Sequence, residues 1–327
     1  LRRNVHAGKP QSGGFSLNTF SEDELYEIHL ATLEILDETG VFVEDPQALD
    51  AFEAAGAKID REKRIARLPS YLVEDCVRSA PAKILLAGRD PNKDFVVENN
   101  RVGFTNFGEG VQVFDPFTGE LREPTKQDVA NTARVVDFLD EIDVYNRAVG
   151  AHEVPQDLAP LHNAEAFFAN TTKHCMVGSF SGFCTRKIVE MAAEIAGGMD
   201  NLVKRPLVTF HTCPVSPLKL VQDTCEILME TARLDMPVNV ISMAMAGGSS
   251  PINLAGTLVE HNAELLAAVA LNQITRKGAK IIYGSSTTAM DLRFGAASVG
   301  SPECAMINAA VARLARYYGL PSFVAGG

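Results

Sequence analysis

Small and polar residues cluster wherever an apolar run ends, and those positions are where chemistry could be done. Asn106-Phe107-Gly108-Glu109-Gly110, Ser179-Phe180-Ser181, His211-Thr212-Cys213, Ser242-Met243, Tyr283-Gly284-Ser285-Ser286-Thr287-Thr288 and Ala325-Gly326-Gly327 all follow strand-like stretches. In parallel α/β barrels the reactive groups sit at the C-terminal ends of strands. The set is therefore a candidate ring of binding and catalytic groups, although each serine or glycine alone is also what loops and N-caps are made of. His211 stands at such an end and is a candidate acid or base. His174 comes just before its strand and falls at the opposite end. His261 and Glu264 lie three apart in the middle of one helical stretch; with no third ligand they read as a structural hydrogen bond rather than a metal site. Glu303 lies in the first turn of a helix behind the Ser301-Pro302 cap, where a carboxylate complements the dipole. Asp291, beside Leu292-Arg293, reads as a loop ion pair. Ala246-Gly247-Gly248-Ser249-Ser250-Pro251 either cradles an anion at a helix start or simply turns the chain; no Lys follows it as in a P-loop. No Ser–His–Asp order or nucleophile elbow is visible.

The elements that must position these groups follow from periodicity. Residues 1–20 are a Gly/Asn/Ser-rich arm. Residues 21–100 form an N-terminal helical, α+β extension. Ser21 and Glu24 make a capping box, Leu25, Ile28, Ala31, Ile35 and Leu36 recur at helical spacing, and Gly40 ends that helix. From residue 101 to 327 strands and helices alternate. Strand-like runs are predicted at 102–107, 144–149, 175–178, 207–210, 238–243, 280–283 and 322–324. Helices are predicted at 126–140, 157–170, 185–196, 217–234, 253–275 and 302–318. This regularity implies a parallel sheet. Seven strands favour an α/β (β/α)8 TIM-type barrel, incomplete at the C-terminus with its last strand missing. A doubly wound sheet is the alternative, weakened by the lack of an early GxGxxG. An apolar strand followed by two glycines is an unusual place for a domain to stop, so continuation beyond Gly327 is expected.

Composition narrows the function classes. Of 327 residues, 46% are hydrophobic and 22% charged, enough for a sizeable core. The net charge of −11 disfavours nucleic acid. Six scattered cysteines with no CxxC pair read as buried thiols of a cytoplasmic protein. No unbroken apolar run is long enough to imply a membrane span, and the twin arginine at Arg2-Arg3 has no apolar stretch after it.

Several motifs together carry a resemblance. They are Ser242-Met243-Ala244-Met245-Ala246-Gly247-Gly248-Ser249-Ser250-Pro251, followed by Leu254-Ala255-Gly256-Thr257-Leu258-Val259 and His261-Asn262-Ala263-Glu264. Cys213-Pro214 with Ser216-Pro217-Leu218, Tyr283-Gly284-Ser285-Ser286-Thr287-Thr288, Val299-Gly300-Ser301-Pro302-Glu303, and Ile28-His29 with Ala31-Thr32 agree with them. The chain resembles the trimethylamine:corrinoid methyltransferases from about residue 20 onward, most specifically over 213–327. His211 and Glu109 fall outside the pattern that carries the resemblance.

The resemblance implies a methyltransferase of methylamine catabolism and methanogenesis that moves a methyl group from trimethylamine to the Co(I) corrinoid of a separate protein. It implies a pyrrolysine, encoded by an amber codon, immediately after Gly327. It implies no cofactor bound directly, the corrinoid being supplied by the partner. A carboxylic acid should protonate the imine nitrogen as it is attacked; Glu303 and Asp291 are the candidates. Phe107 and Tyr283 could line an aromatic cage for the trimethylammonium form, with Ser286 and Ser242 as further substrate-binding residues, although Tyr283 suits a core as well. No metal ligand set is expected. Two alternatives stay open. One is a quaternary amine demethylase of the glycine betaine type, from the branch without pyrrolysine. The other is a noncatalytic product that only docks or oligomerises, since an incomplete barrel would expose apolar strand surface. A homo-oligomer is expected, and neither nucleic acid nor membrane.

Overall fold

The computed structural model describes residues 9–10, 20–98 and 101–326. The predicted 1–20 arm thus lies outside the described residues except for 9–10 and 20, and so does Gly327. The chain divides into two compact units, one of residues 1–12 and 84–211, the other of residues 13–83 and 212–327.

The first unit carries three parallel strands. Val144–Asn146 pairs with His174–Gly178 through Val144↔His174 and Asn146↔Met176. His174–Gly178 pairs with Val208–Thr212, which runs one residue past the boundary, through Cys175↔Val208 and Gly178↔His211. Every residue of these strands is buried except the half-exposed Gly178, as expected of parallel strands covered by helices. Helices Lys126–Phe138, Ala159–Asn170 and Gly182–Ala196 pack in sequence beside them. The first has a capping box between Thr125 and Asp128. Its other end is closed by the buried Lys173, whose Nζ donates at 2.6 Å to the carbonyls of Val136, Leu139 and Ile142. An ammonium there satisfies orphan carbonyls and complements the dipole. Of the strand predicted at 102–107, Val102 ends the two-residue strand Arg101–Val102 and Thr105 makes a parallel bridge to Val144.

The second unit also carries a row of three parallel strands. Val238–Ser242 pairs with Ile281–Ser285, with Ser242 opposite Ser285, and Ile281–Ser285 pairs with Ser322–Val324, with Ser285 opposite Val324. Its centre is the helix Leu254–Thr275, capped by Asn253, whose side chain accepts from the Gly256 amide at 2.6 Å. This helix is long and apolar enough to cross a membrane by length and composition, but it is the buried core of its unit. Helices Glu22–Glu34, Pro46–Ala54, Ser70–Ser79 and Gln222–Leu234 pack around it. The predicted capping box is present: Glu24 N donates to Ser21 Oγ at 3.3 Å and Ser21 N to Glu24 Oε2 at 2.8 Å. Helix Glu22–Glu34 widens into a π turn over Ile35–Thr39 and stops at Gly40, whose φ of 79° suits glycine. A Cβ at Gly40 would meet the Ala66 carbonyl oxygen at 2.5 Å, so no other residue fits.

Among the described residues, six of the seven expected strands thus stand as parallel strands and the first keeps only a parallel bridge at Thr105, and the folds of both units are mixed α/β with parallel strands. Among the described residues no disulfide joins the cysteines; five are buried and Cys213 is half-buried.

Candidate functional site

In the second unit the strand-end residues are wired to the central helix. Ser242 closes its strand and is fully buried. Its Oγ donates to Glu264 Oε2 at 2.7 Å. Ser216 Oγ donates to the same oxygen at 3.0 Å, and the Leu218 amide to Oε1 at 3.0 Å. Glu264 is 1% exposed. Burial pushes its carboxyl above the usual range, while these three donors pull it back. Glu260 lies one turn earlier, with Oε1 buried and unpartnered. Burial, then the charge of Glu264, pushes it up to about 7. His261, also fully buried, sets Nδ1 2.9 Å from Thr287 Oγ1 and its ring 5.7 Å from that of Tyr283. Burial pushes it down to about 3, so it is neutral. His261 and Glu264 therefore serve different partners rather than one ion.

Tyr283 lies in mid-strand and is fully buried. Its hydroxyl donates to Asn262 Oδ1 at 2.7 Å, and Asn262 Nδ2 donates to Thr32 Oγ1 at 2.9 Å and Tyr318 Oη at 2.8 Å. Ser242 and Tyr283 thus both direct their side chains at the helix Leu254–Thr275. Ser286 is half-buried and gives its amide to the Ser242 carbonyl at 2.9 Å. Asp291 ends the strand Thr288–Asp291 and is gripped by Arg293, Oδ1 to Nε at 3.1 Å and Oδ2 to Nη2 at 2.8 Å. The Arg293 guanidinium holds its carboxyl below the usual range. Glu303 is exposed in the first turn of the helix Pro302–Tyr317, where Ser301 Oγ caps the Cys304 amide. No hydrogen bond or ion pair ties its carboxylate among the described residues. The Gly247-Gly248 segment is a turn. Gly247 N donates to Ser250 O, and both Gly248 N and Ser250 N to Met245 O. Those amides are therefore committed within the loop, away from any anion.

The first unit holds a second cluster at its strand ends. Asn106 clamps the backbone of Asn146, accepting from its amide at 3.0 Å and donating to its carbonyl at 2.6 Å. The Asn146 side-chain oxygen lies 3.1 Å from His211 Nε2, an acceptor that sets the Nε2–H tautomer. Burial, then the nearby Arg147 charge, pushes His211 down to about 3. Arg147, 5% exposed, forms an ion pair through Nη2 with Glu109. Its Nε is buried without a partner. Glu109 has a left-handed φ of 66° and donates its amide to the Arg147 carbonyl at 3.1 Å. That backbone conformation costs a non-glycine residue roughly 1 kcal/mol, a strain often found at functional positions. Phe107, on the same segment, is 81% exposed. His174 is held by the Ala87 and Pro206 carbonyls and Thr209.

Residues 4–327 match the trimethylamine methyltransferase (MTTB) family. The chain belongs to the trimethylamine methyltransferase family. It is 49% identical over 327 residues to trimethylamine methyltransferase MttB of Desulfitobacterium hafniense, covering 100% of this chain and 66% of that protein. The corresponding protein of Methanosarcina thermophila is 41% identical over 330 residues, covering 99% of this chain and 68% of its own length. A glycine betaine methyltransferase of Desulfitobacterium hafniense is more distant, at 33% identity over 95% of this chain and 64% of its own length. The chain therefore spans about two thirds of the length of these relatives. Among solved structures, the monomethylamine methyltransferase of Methanosarcina barkeri superposes with a TM-score of 0.55 at 14% identity, covering 92% of this chain and 65% of that one. That likeness speaks for the fold alone.

Two residues of these clusters, Arg147 and Glu260, carried no motif in the sequence. Arg147 directly follows the last residue of a buried strand, a position where a charged side chain must find a partner. Glu260 lies four residues before Glu264, on the same helical face.

Proposed function

We propose that the protein to which this chain belongs moves a methyl group from trimethylamine to the Co(I) corrinoid of a separate protein. The single observation that carries this reading is the 49% identity to a trimethylamine methyltransferase over the full chain, against 33% to a glycine betaine methyltransferase. In this reading the corrinoid partner docks over the C-terminal ends of parallel strands. A reaction with Co(I) suits a reducing compartment such as the cytoplasm.

A methyl on a neutral tertiary amine is a poor electrophile, because the departing amide would be too basic. On the resemblance of 213–327 we place a pyrrolysine after Gly327; when bound to the amine, such an imine lets a neutral amine leave. The residues of this chain would orient the amine and move a proton. Glu303 is preferred over Asp291 as the acid. Its carboxylate is exposed and untied, whereas Asp291 is held ionised by Arg293. Phe107 presents an exposed ring for a methylated ammonium.

Intact mass and peptide mapping across Gly327, in protein from the native cell, test this reading. A peptide running through Gly327 with a pyrrolysine mass supports it. Read-through with an ordinary residue moves the assignment to a quaternary amine, and a true C-terminus at Gly327 removes the enzyme claim from this chain.

A further inference from the structure

The Glu109–Arg147 pair takes no part in the mechanism above, yet it is built with care. Arg147 is buried at the C-terminal end of the strand Val144–Asn146. A guanidinium presents Nε–H and Nη–H as a planar fork that fits a carboxylate with both oxygens at once. Glu109 takes only the Nη2 prong, and the buried Nε prong has no partner. The fork is therefore half filled. Glycines leave room around it: a Cβ at Gly150 would lie 3.1 Å from Arg147 Nη1, and one at Gly178 would lie 3.4 Å from Glu109 Oε1. The Glu109 side chain is 58% exposed and its backbone is left-handed, so an internal carboxylate is held over the fork from the solvent side. His211, buried beside Arg147, is neutral and offers no rival cation.

We propose that Glu109 is a specificity residue, an internal carboxylate that occupies the Arg147 fork and so excludes amines bearing a carboxylate of their own. A betaine would have to place its carboxylate against Glu109 while Arg147 is already neutralised. Trimethylamine has no such group and meets no penalty. This inference rests on the methylated-amine reading above and deepens it, since a glycine betaine methyltransferase is 33% identical to this chain. Removing Glu109 uncovers both prongs and turns the position into a carboxylate receptor.

Isothermal titration of the full natural chain with glycine betaine, and separately with trimethylamine, tests this without requiring turnover. Glu109→Gly suits the left-handed backbone, and Glu109→Gln keeps the shape while removing the charge. The expected result is at least tenfold tighter glycine betaine binding in Glu109→Gly, a smaller gain in Glu109→Gln, and loss of the gain when Arg147→Met is added. Betaine affinity unchanged in both folded Glu109 variants, or already equal in the parent protein, overturns the proposal. Failure of the parent to bind trimethylamine would count against the methylated-amine reading instead, leaving the carboxylate gain to be read on its own.

Discussion

Ser242 Oγ donates to Glu264 Oε2 at 2.7 Å, so the serine that ends its strand faces the central helix of its unit. The same carboxylate accepts from Ser216 and the Leu218 amide. One buried side chain thereby fixes two strand-end segments that the sequence marks as motifs. Glu264 acts as a positioning residue for them.

Glu264→Ala should be strongly destabilising. It strands the fully buried Ser242 hydroxyl and removes the acceptor of the half-buried Ser216 hydroxyl and Leu218 amide, at a cost of about 3 kcal/mol. Glu264→Gln keeps one acceptor oxygen and should cost roughly 1 kcal/mol. Urea midpoints of both variants at constant m-value check this; equal midpoints for Glu264→Ala and the parent would refute the positioning role.

Glu260 should make stability fall with rising pH. Its folded value of about 7 lies above its ordinary 4.5, so the folded state binds the proton more tightly. The contribution is full below about pH 4.5 and is lost as pH rises through 7. Melting temperatures from pH 5 to 8 should decline less steeply in Glu260→Gln than in the parent. Parallel curves would mean the group is solvated in the folded state.

Tyr283→Phe separates a core role from a cage role. The hydroxyl bond to Asn262 is buried, and losing it should cost roughly 1 kcal/mol. Trimethylamine binding should stay unchanged, while Phe107→Ala should weaken it several-fold. A large rise in KM for Tyr283→Phe, with stability intact, would return the ring to the substrate.

Glu303→Gln should lower kcat by on the order of 100-fold, the usual weight of a general acid. Asp291→Asn loosens a surface turn held by Arg293 and should leave kcat within a factor of a few. The reverse ranking, measured on the full-length enzyme with its corrinoid partner, would exchange the two roles.

Much of the fold is legible because its signals are local. The apolar runs near 144, 175, 207, 238, 280 and 322 all became parallel strands, and the Ser21–Glu24 box and Gly40 bounded a helix as read. The run at 102–107 fell short because the Asn106 side chain takes the backbone groups of Asn146 that a longer ladder would have used. Side-chain direction was not legible. All five residues of Val238–Ser242 and of Ile281–Ser285 are buried. With no polar face to break the tie, alternation cannot say that Ser242 and Tyr283 look toward the helix. Arg147 carried no motif; only the neighbouring strand end and the left-handed Glu109 reveal what it holds.

The central claim is that a methylated amine without a carboxylate gives its methyl to a Co(I) corrinoid. The direct measurement follows the Co(I) absorbance of the reduced cognate corrinoid protein, mixed with the full natural enzyme and either trimethylamine or glycine betaine. The account predicts rapid conversion to methyl-Co(III) with trimethylamine and none above background with glycine betaine. Conversion driven by glycine betaine and not by trimethylamine would contradict it.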